Sequence, residues 1–338
     1  MKWTEARKRL LNLATGRESA PSAEPPPPPA AEPGGDGAAE RLRSTPPPAG
    51  RPGPRLAEPE ERCARAVSLC VASGKGGTGK SVLTASLAQL LAARARTILL
   101  DADLGVGNAH ILQDVSPERT LLDVAEGRHA VRDVRTPCGA SIDLIAAGSG
   151  VPRMADLSTY EMHLIAHGLD ELEGDYGFVL VDSAAGISRQ TMAFAEASDV
   201  TLVVTTPDLT AMTDAYAFLK VLFTRRAAAR TLLVVNRAES EGEAERVQHR
   251  ITDVCGRFLG QAPRVLGWIP SDSAVVRAVN HRSSVVAFEP ESRSARAVER
   301  LACRLVVELA GGADSPAADP RGLGRQLLRK LGYSGEGA

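Results

Sequence analysis

A glycine-rich string, Ser73-Gly74-Lys75-Gly76-Gly77-Thr78-Gly79-Lys80-Ser81, follows directly on the apolar run AVSLCVAS and opens a stretch that reads as a helix over 80–94. Strand, tight loop and helix in that order are the setting in which G-x-x-x-x-G-K-[ST] closes around phosphate. Glycines allow successive backbone N–H groups to converge on phosphate oxygens, and the helix N-terminus adds its partial positive charge. Gly74, Gly76, Gly77, Thr78 and Gly79 form that cradle, Lys80 is placed to reach the β and γ phosphates, and Ser81 to ligate Mg²⁺. The same letters also satisfy G-x-G-x-x-G, with Asp101 and Asp103 near where a dinucleotide fold sets its ribose-binding acid; Lys80-Ser81 decides for a triphosphate. Lys2, Lys8, Lys75, Lys80, Lys220 and Lys330 are the chain's lysines, among 40 basic residues. Two of the six stand in this loop, where a compact ammonium fits between phosphates and a planar guanidinium does not.

Apolar runs of strand length recur at 66–72, 97–101, 142–147, 177–182, 200–205, 231–236 and 264–269, and helical stretches at 80–94, 158–172, 209–224, 241–258 and 291–310 lie between them. Most of the strands (TILL, FVLV, VTLVV, TLLVV) are continuously apolar, the mark of strands covered on both faces. The expected fold is therefore α/β: a doubly wound, mostly parallel sheet with helices on both faces and right-handed crossovers. Around this domain, 64–310, lie appended segments. Residues 1–17 read as a short basic helix, 18–63 as a disordered Pro-rich linker, 311–320 as a second linker, and 321–338 as a basic amphipathic helix.

The 338 residues carry 40 basic and 41 acidic side chains, net −1, so no overall field draws the chain to nucleic acid, and no sequence-specific nucleic-acid partner is expected. Cysteines 63, 70, 138, 255 and 303 form no CxxC pair and no zinc-spaced cluster, which suits a reducing, cytoplasmic setting and argues against a disulfide scaffold or an iron–sulfur site. His163 and His167 are four apart, but no Glu completes an HExxH motif.

Lys75 is not required by the general phosphate-loop pattern. With it the string resembles the deviant Walker A motif, KGGxGK[ST], of the MinD/ParA family of dimerising ATPases. The resemblance implies ATP and Mg²⁺ as ligands, an ATP-dependent homodimer, and a role for Lys75 across the dimer interface at the partner's nucleotide. Asp101-Ala102-Asp103-Leu104-Gly105-Val106-Gly107-Asn108 resembles the family's DxDxGxxN switch. There the second acid, Asp103, activates or positions the attacking water, and Asp101 lies near the Mg²⁺ shell. Asp182-Ser183-Ala184-Ala185-Gly186-Ile187 is similar to the second switch, with Asp182 holding Mg²⁺ through water and the Gly186 N–H sensing the γ phosphate. The resemblance makes Lys75, Lys80 and Asp103 the catalytic set.

Thr205-Thr206-Pro207-Asp208-Leu209-Thr210-Ala211-Met212-Thr213-Asp214-Ala215-Tyr216-Ala217 looks like the signature of the FlhG/FleN/YlxH branch, MinD-like regulators of flagellar number and position. Val234-Val235-Asn236-Arg237 resembles the family's VVNR, whose asparagine meets adenine, and Gly267-Trp268-Ile269-Pro270 its G-x-I-P segment, which adds Asn236 and Pro270 to the nucleotide contacts. The branch implies a flagellar GTPase or switch-complex proteins as partners, although its N-terminal DQAxxLR motif is not present in MKWTEARKRLLNLATGR.

Leu323, Leu327, Leu328 and Leu331 fall on one side of the terminal helix, with Arg321, Arg325, Gln326, Arg329 and Lys330 on the other. The family uses a helix of this kind on the inner face of the cytoplasmic membrane, which implies a cytoplasmic protein with ATP-dependent peripheral membrane association, two helices per dimer giving avidity. Docking on its own domain or on a protein partner is the other reading of the same pattern. Two rival functions stand alongside the MinD-like switch: a ParA-type DNA-positioning ATPase, and a scaffold that holds nucleotide without hydrolysing it.

Overall fold

The computed structural model describes residues 65–105, 107–148, 157–309 and 322–331. The expected segments 1–17, 18–63 and 311–320, and the end of 321–338, lie outside the described residues.

In chain order the elements are β1 (Val67–Ser73), α1 (Lys80–Ala92), β2 (Thr97–Ala102), α2 (Ala109–Leu112), α3 (Leu121–Ala125), β3 (Arg135–Pro137), β4 (Ile142–Ile145), α4 (Thr159–Leu172), β5 (Phe178–Ala185) and α5 (Arg189–Ala197). They continue with β6 (Val200–Thr205), α6 (Leu209–Arg225), β7 (Thr231–Ala238), α7 (Glu241–Leu259), β8 (Arg264–Pro270), α8 (Ser273–Asn280), α9 (Val285–Phe288), α10 (Arg293–Leu309) and α11 (Leu323–Lys330). Every strand expected from the apolar runs is present. The eight strands make one sheet in the order β3-β4-β2-β5-β1-β6-β7-β8, parallel throughout except that β3 pairs antiparallel with β4 at the edge. The three-residue β3 and the short helices α2, α3, α5, α8 and α9 escape a reading based on long periodic runs.

Alternation along β1 shows how both faces are filled. Leu69 and Val71 point into a core shared with α1 and α10, while Cys70 and Ala72 point into the core under α4, α5, α6 and α7. Local chemistry starts the helices: Ser158 accepts the Glu161 N–H and Glu161 accepts the Ser158 N–H, a reciprocal capping box that opens α4. At the amino end of the sheet the Arg65 guanidinium makes two bonds, of 2.8 and 2.6 Å, to the buried Asp199 carboxylate, which also accepts from the Ser68 N–H and hydroxyl. This ion pair pins the start of β1 beside the start of β6, and its several hydrogen bonds are what make burial of the charges tolerable.

The terminal helix α11 lies on α4 and α5. Leu323 and Leu327 are fully buried in the main core, and Leu328 and Leu331 pack against it. The Glu173 carboxylate, some 150 residues earlier, accepts the Leu323 N–H at 2.9 Å and the Gly324 N–H at 2.6 Å, supplying acceptors for two first-turn donors that have none within the helix. Gly324 has no room for a side chain, since a Cβ would stand 2.2 Å from the Asp170 nitrogen. Arg325 pairs with Asp170, and Lys330 with the buried Glu196. Of the readings open for this amphipathic pattern, the structure displays the docked one: the leucine side expected to face lipid is covered by the chain's own domain.

Burial pushes the Glu173 carboxyl up to about 7 from its ordinary 4.5, against the pull of the two backbone N–H bonds and of Arg65. A docked tail therefore holds a proton in that interval that a tail-free chain releases, so docking is strongest at low pH and weakens as pH rises through about 7. A chain ended after residue 321 should unfold roughly 5 °C or more below the full chain. Thermal unfolding at pH 5.5 and pH 8 should show the larger gap at the lower pH.

Candidate functional site

The loop after β1 is held by its carbonyls. Ser73 O accepts the Gly186 N–H at 2.9 Å, Lys75 O the Ser73 hydroxyl at 2.8 Å, Gly77 O the Arg237 guanidinium at 3.4 Å and Thr78 O the Asn236 amide at 2.8 Å. Gly79 O accepts the Leu83 N–H at 3.0 Å and Lys80 O the Thr84 hydroxyl at 2.9 Å. Carbonyls tied outward leave the loop's N–H groups free to converge on an anion. Gly79 caps α1 with φ 90°, a left-handed conformation that a side chain would strain. Gly74 is required for a different reason: a Cβ there would lie 2.1 Å from both the carbonyl carbon and oxygen of Asp214, so the loop begins in backbone contact with α6.

Beside the loop, β2 and β5 are paired in register so that Asp101 is level with Asp182, both buried. Burial, and then the Asp182 charge, push the Asp101 carboxyl up to about 7 despite its bonds from the Ala109 and Asp103 N–H groups. Burial likewise raises Asp182, while the Lys80 ammonium and the Ser81 and Thr84 hydroxyls pull it down. The half-buried Asp103 follows at the exit of β2, its N–H held by Asp101.

The structure thus gathers Gly74 to Ser81, Asp101, Asp103, Asp182 and Gly186 around the carboxyl ends of β1, β2 and β5, with Asn236 and Arg237 reaching over from β7. Two residues expected at the nucleotide also bond within the chain. Asn236 braces the loop, its amide given to Thr78 O, and the Gly186 N–H is given to Ser73 O. Pro270 ends β8, beyond β7 from the loop. Thr84 went unread in the sequence; its position one turn after Lys80 is the signal that could have found it, and its hydroxyl lies 3.4 Å from Asp182 within β5.

These residues fit a nucleotide with a divalent cation. Thr78 is 3% exposed, and its hydroxyl has no hydrogen-bond partner among the described residues, a buried group that an added acceptor would satisfy. The Lys80 ammonium favours the charged form of Asp182, while the Asp103 charge acts against the charged forms of both Asp101 and Asp182, so acids crowd this spot. No group of three or more His, Cys, Asp and Glu gathers among those residues to hold a metal unaided, so an ion here draws further oxygens from phosphate and water.

Residues 69–285 match the CobQ/CobB/MinD/ParA nucleotide binding domain. The antiactivator FleN of Pseudomonas aeruginosa is 34% identical over 235 residues, covering 69% of this chain and 84% of that protein. The flagellum site-determining protein YlxH of Helicobacter pylori is 28% identical over 273 residues, 78% of this chain and 90% of that one. The structure resembles the septum site-determining protein MinD of Pyrococcus horikoshii, solved with Mg-ADP, at a TM-score of 0.62 and 25% identity over 73% of this chain and 98% of that one.

Gly74→Ala should cost about 1–3 kcal/mol, because the Cβ meets backbone rather than a movable side chain. Its Tm and its affinity for a fluorescent ATP analogue, measured on one preparation, should fall together.

Proposed function

The chain belongs to the CobQ/CobB/MinD/ParA nucleotide-binding family, and from that membership we propose that it is a MinD-like ATPase that binds ATP with Mg²⁺, closes into a homodimer and opens again on hydrolysis, in the regulation of flagellar number or placement. The observation that carries this reading is the phosphate loop with every tied carbonyl turned outward, set against a buried Asp101–Asp182 pair and an unpartnered Thr78 hydroxyl. The flagellar assignment is supported by the likeness to FleN and YlxH and by the Thr205–Ala217 signature.

ATP and Mg²⁺, when bound, supply the phosphoryl group and the charge that neutralises it. With them bound, Lys80 would meet phosphate, Ser81, Asp101 and Asp182 would hold the cation directly or through water, and Asp103 would orient the attacking water. Lys75 acts on the nucleotide of the second copy. Peripheral attachment to the cytoplasmic membrane through 321–338 requires α11 to leave α4 and α5, because its leucines are otherwise covered. No helix among the described residues is long and apolar enough to cross a membrane.

Lys80→Ala should lose about tenfold or more in ATP affinity, equivalent to about 1.4 kcal/mol. Asp103→Ala should keep ATP and the dimer while hydrolysis drops about 10²- to 10⁴-fold, the range of a lost acid–base group. Phosphate release and sedimentation of wild type and both variants check this; a wild-type chain that binds ATP yet releases no phosphate is a scaffold instead. Affinity capture with ATP-loaded Asp103→Ala, against Lys80→Ala, should retain flagellar GTPase or switch-complex proteins, whereas chromosome-partition proteins would move the chain to the ParA class.

A further inference from the structure

The signature over Thr205–Ala217 has so far served only to indicate a branch of the family, and none of its side chains has a role at the nucleotide. In the structure it forms the end of β6 and the first turns of α6, and it is fastened to the start of the phosphate loop. Gly74 lies in backbone contact with Asp214. One residue on, the Ser73 hydroxyl donates to Lys75 O and so holds the Lys75 backbone in place. The Lys75 ammonium then donates to the Thr210 hydroxyl at 2.8 Å, one helical turn before Asp214.

The acid nearest Thr210 in sequence, Asp208, accepts from the Thr206 hydroxyl at 2.8 Å, and the Lys75 ammonium bonds the neutral Thr210 hydroxyl. Thr210 itself sits in the first turn of α6, the positive end of the helix dipole, which does not favour a cation. Lys75 is thus held there by a neutral hydroxyl acceptor, in a hydrogen bond weak enough to be surrendered to phosphate.

We propose that Thr210 is the resting acceptor of Lys75, a positioning residue that keeps the ammonium on its own subunit and must release it before it can reach the nucleotide of a second copy of the chain. This rests on the reading of Lys75 as a residue that acts across the dimer. The signature then has a physical effect, since it sets the protein concentration at which ATP closes the dimer. One hydrogen bond of this kind shifts an equilibrium by about twofold to tenfold, and a symmetric dimer must break two, so their effects multiply.

The test measures ATPase rate and ATP-dependent sedimentation against protein concentration for wild type, Thr210→Val, Thr210→Ser, Lys75→Ala and the Lys75→Ala/Thr210→Val pair, with binding of a fluorescent ATP analogue as a check on folding. Thr210→Val should reach half-maximal dimer at a concentration lower by about fourfold or more, from two contacts of about twofold each. Thr210→Ser should behave as wild type, and Thr210→Val should change nothing once Lys75 is alanine. An unshifted midpoint for Thr210→Val, with Lys75→Ala impaired, overturns the assignment of Thr210 and leaves the dimer reading intact; the same shift in the Lys75→Ala background overturns it as well. If Lys75→Ala dimerises and hydrolyses ATP as wild type does, the trans-acting reading of Lys75 fails and this proposal falls with it.

Discussion

A loop that presents its amides to an anion must dispose of its carbonyls, since each peptide unit carries both groups at fixed geometry. Here six carbonyls from Ser73 to Lys80 are bonded outward, to Gly186, Ser73, Arg237, Asn236, Leu83 and Thr84. Those donors come from the residue after β5, from β7, from α1 and from the end of β1 itself, so the phosphate cradle is a product of the whole centre of the sheet. That dependence explains why the loop follows β1, the strand flanked by β5 and β6, with the β7 donors next in order.

The second consequence of the sheet order is the level pairing of Asp101 and Asp182. Two carboxylates in adjacent buried positions repel, and burial raises both toward the protonated form. Among the described residues, Lys80 is the cation that opposes this from within the site. The arrangement is costly without an added cation and favourable with one, so charge and loop geometry call for the same ligand.

Much of this was legible in the sequence because it is local. The phosphate loop is a contiguous string in a strand–loop–helix setting, and the buried strands announce themselves as unbroken apolar runs. What was not legible depends on partners far apart in the chain. A helical wheel shows that Leu323 and Leu327 share a side but not what covers it, and nothing near Gly324 points to a carboxylate at residue 173. The same holds for Asn236, whose amide turns out to brace the loop at Thr78. Short elements were missed for a different reason: β3 has three residues, and α5, though capped by Ser188, is too brief for a convincing period.

The Arg65–Asp199 pair also fixes an exit direction. It clamps the entrance to β1 at the end of the strands opposite the phosphate loop, a strand of seven residues away, or about 23 Å at 3.3 Å per residue. The chain therefore enters the sheet at the pole remote from the phosphate loop, so the anchor that starts the fold and the loop that ends its first strand share no residue.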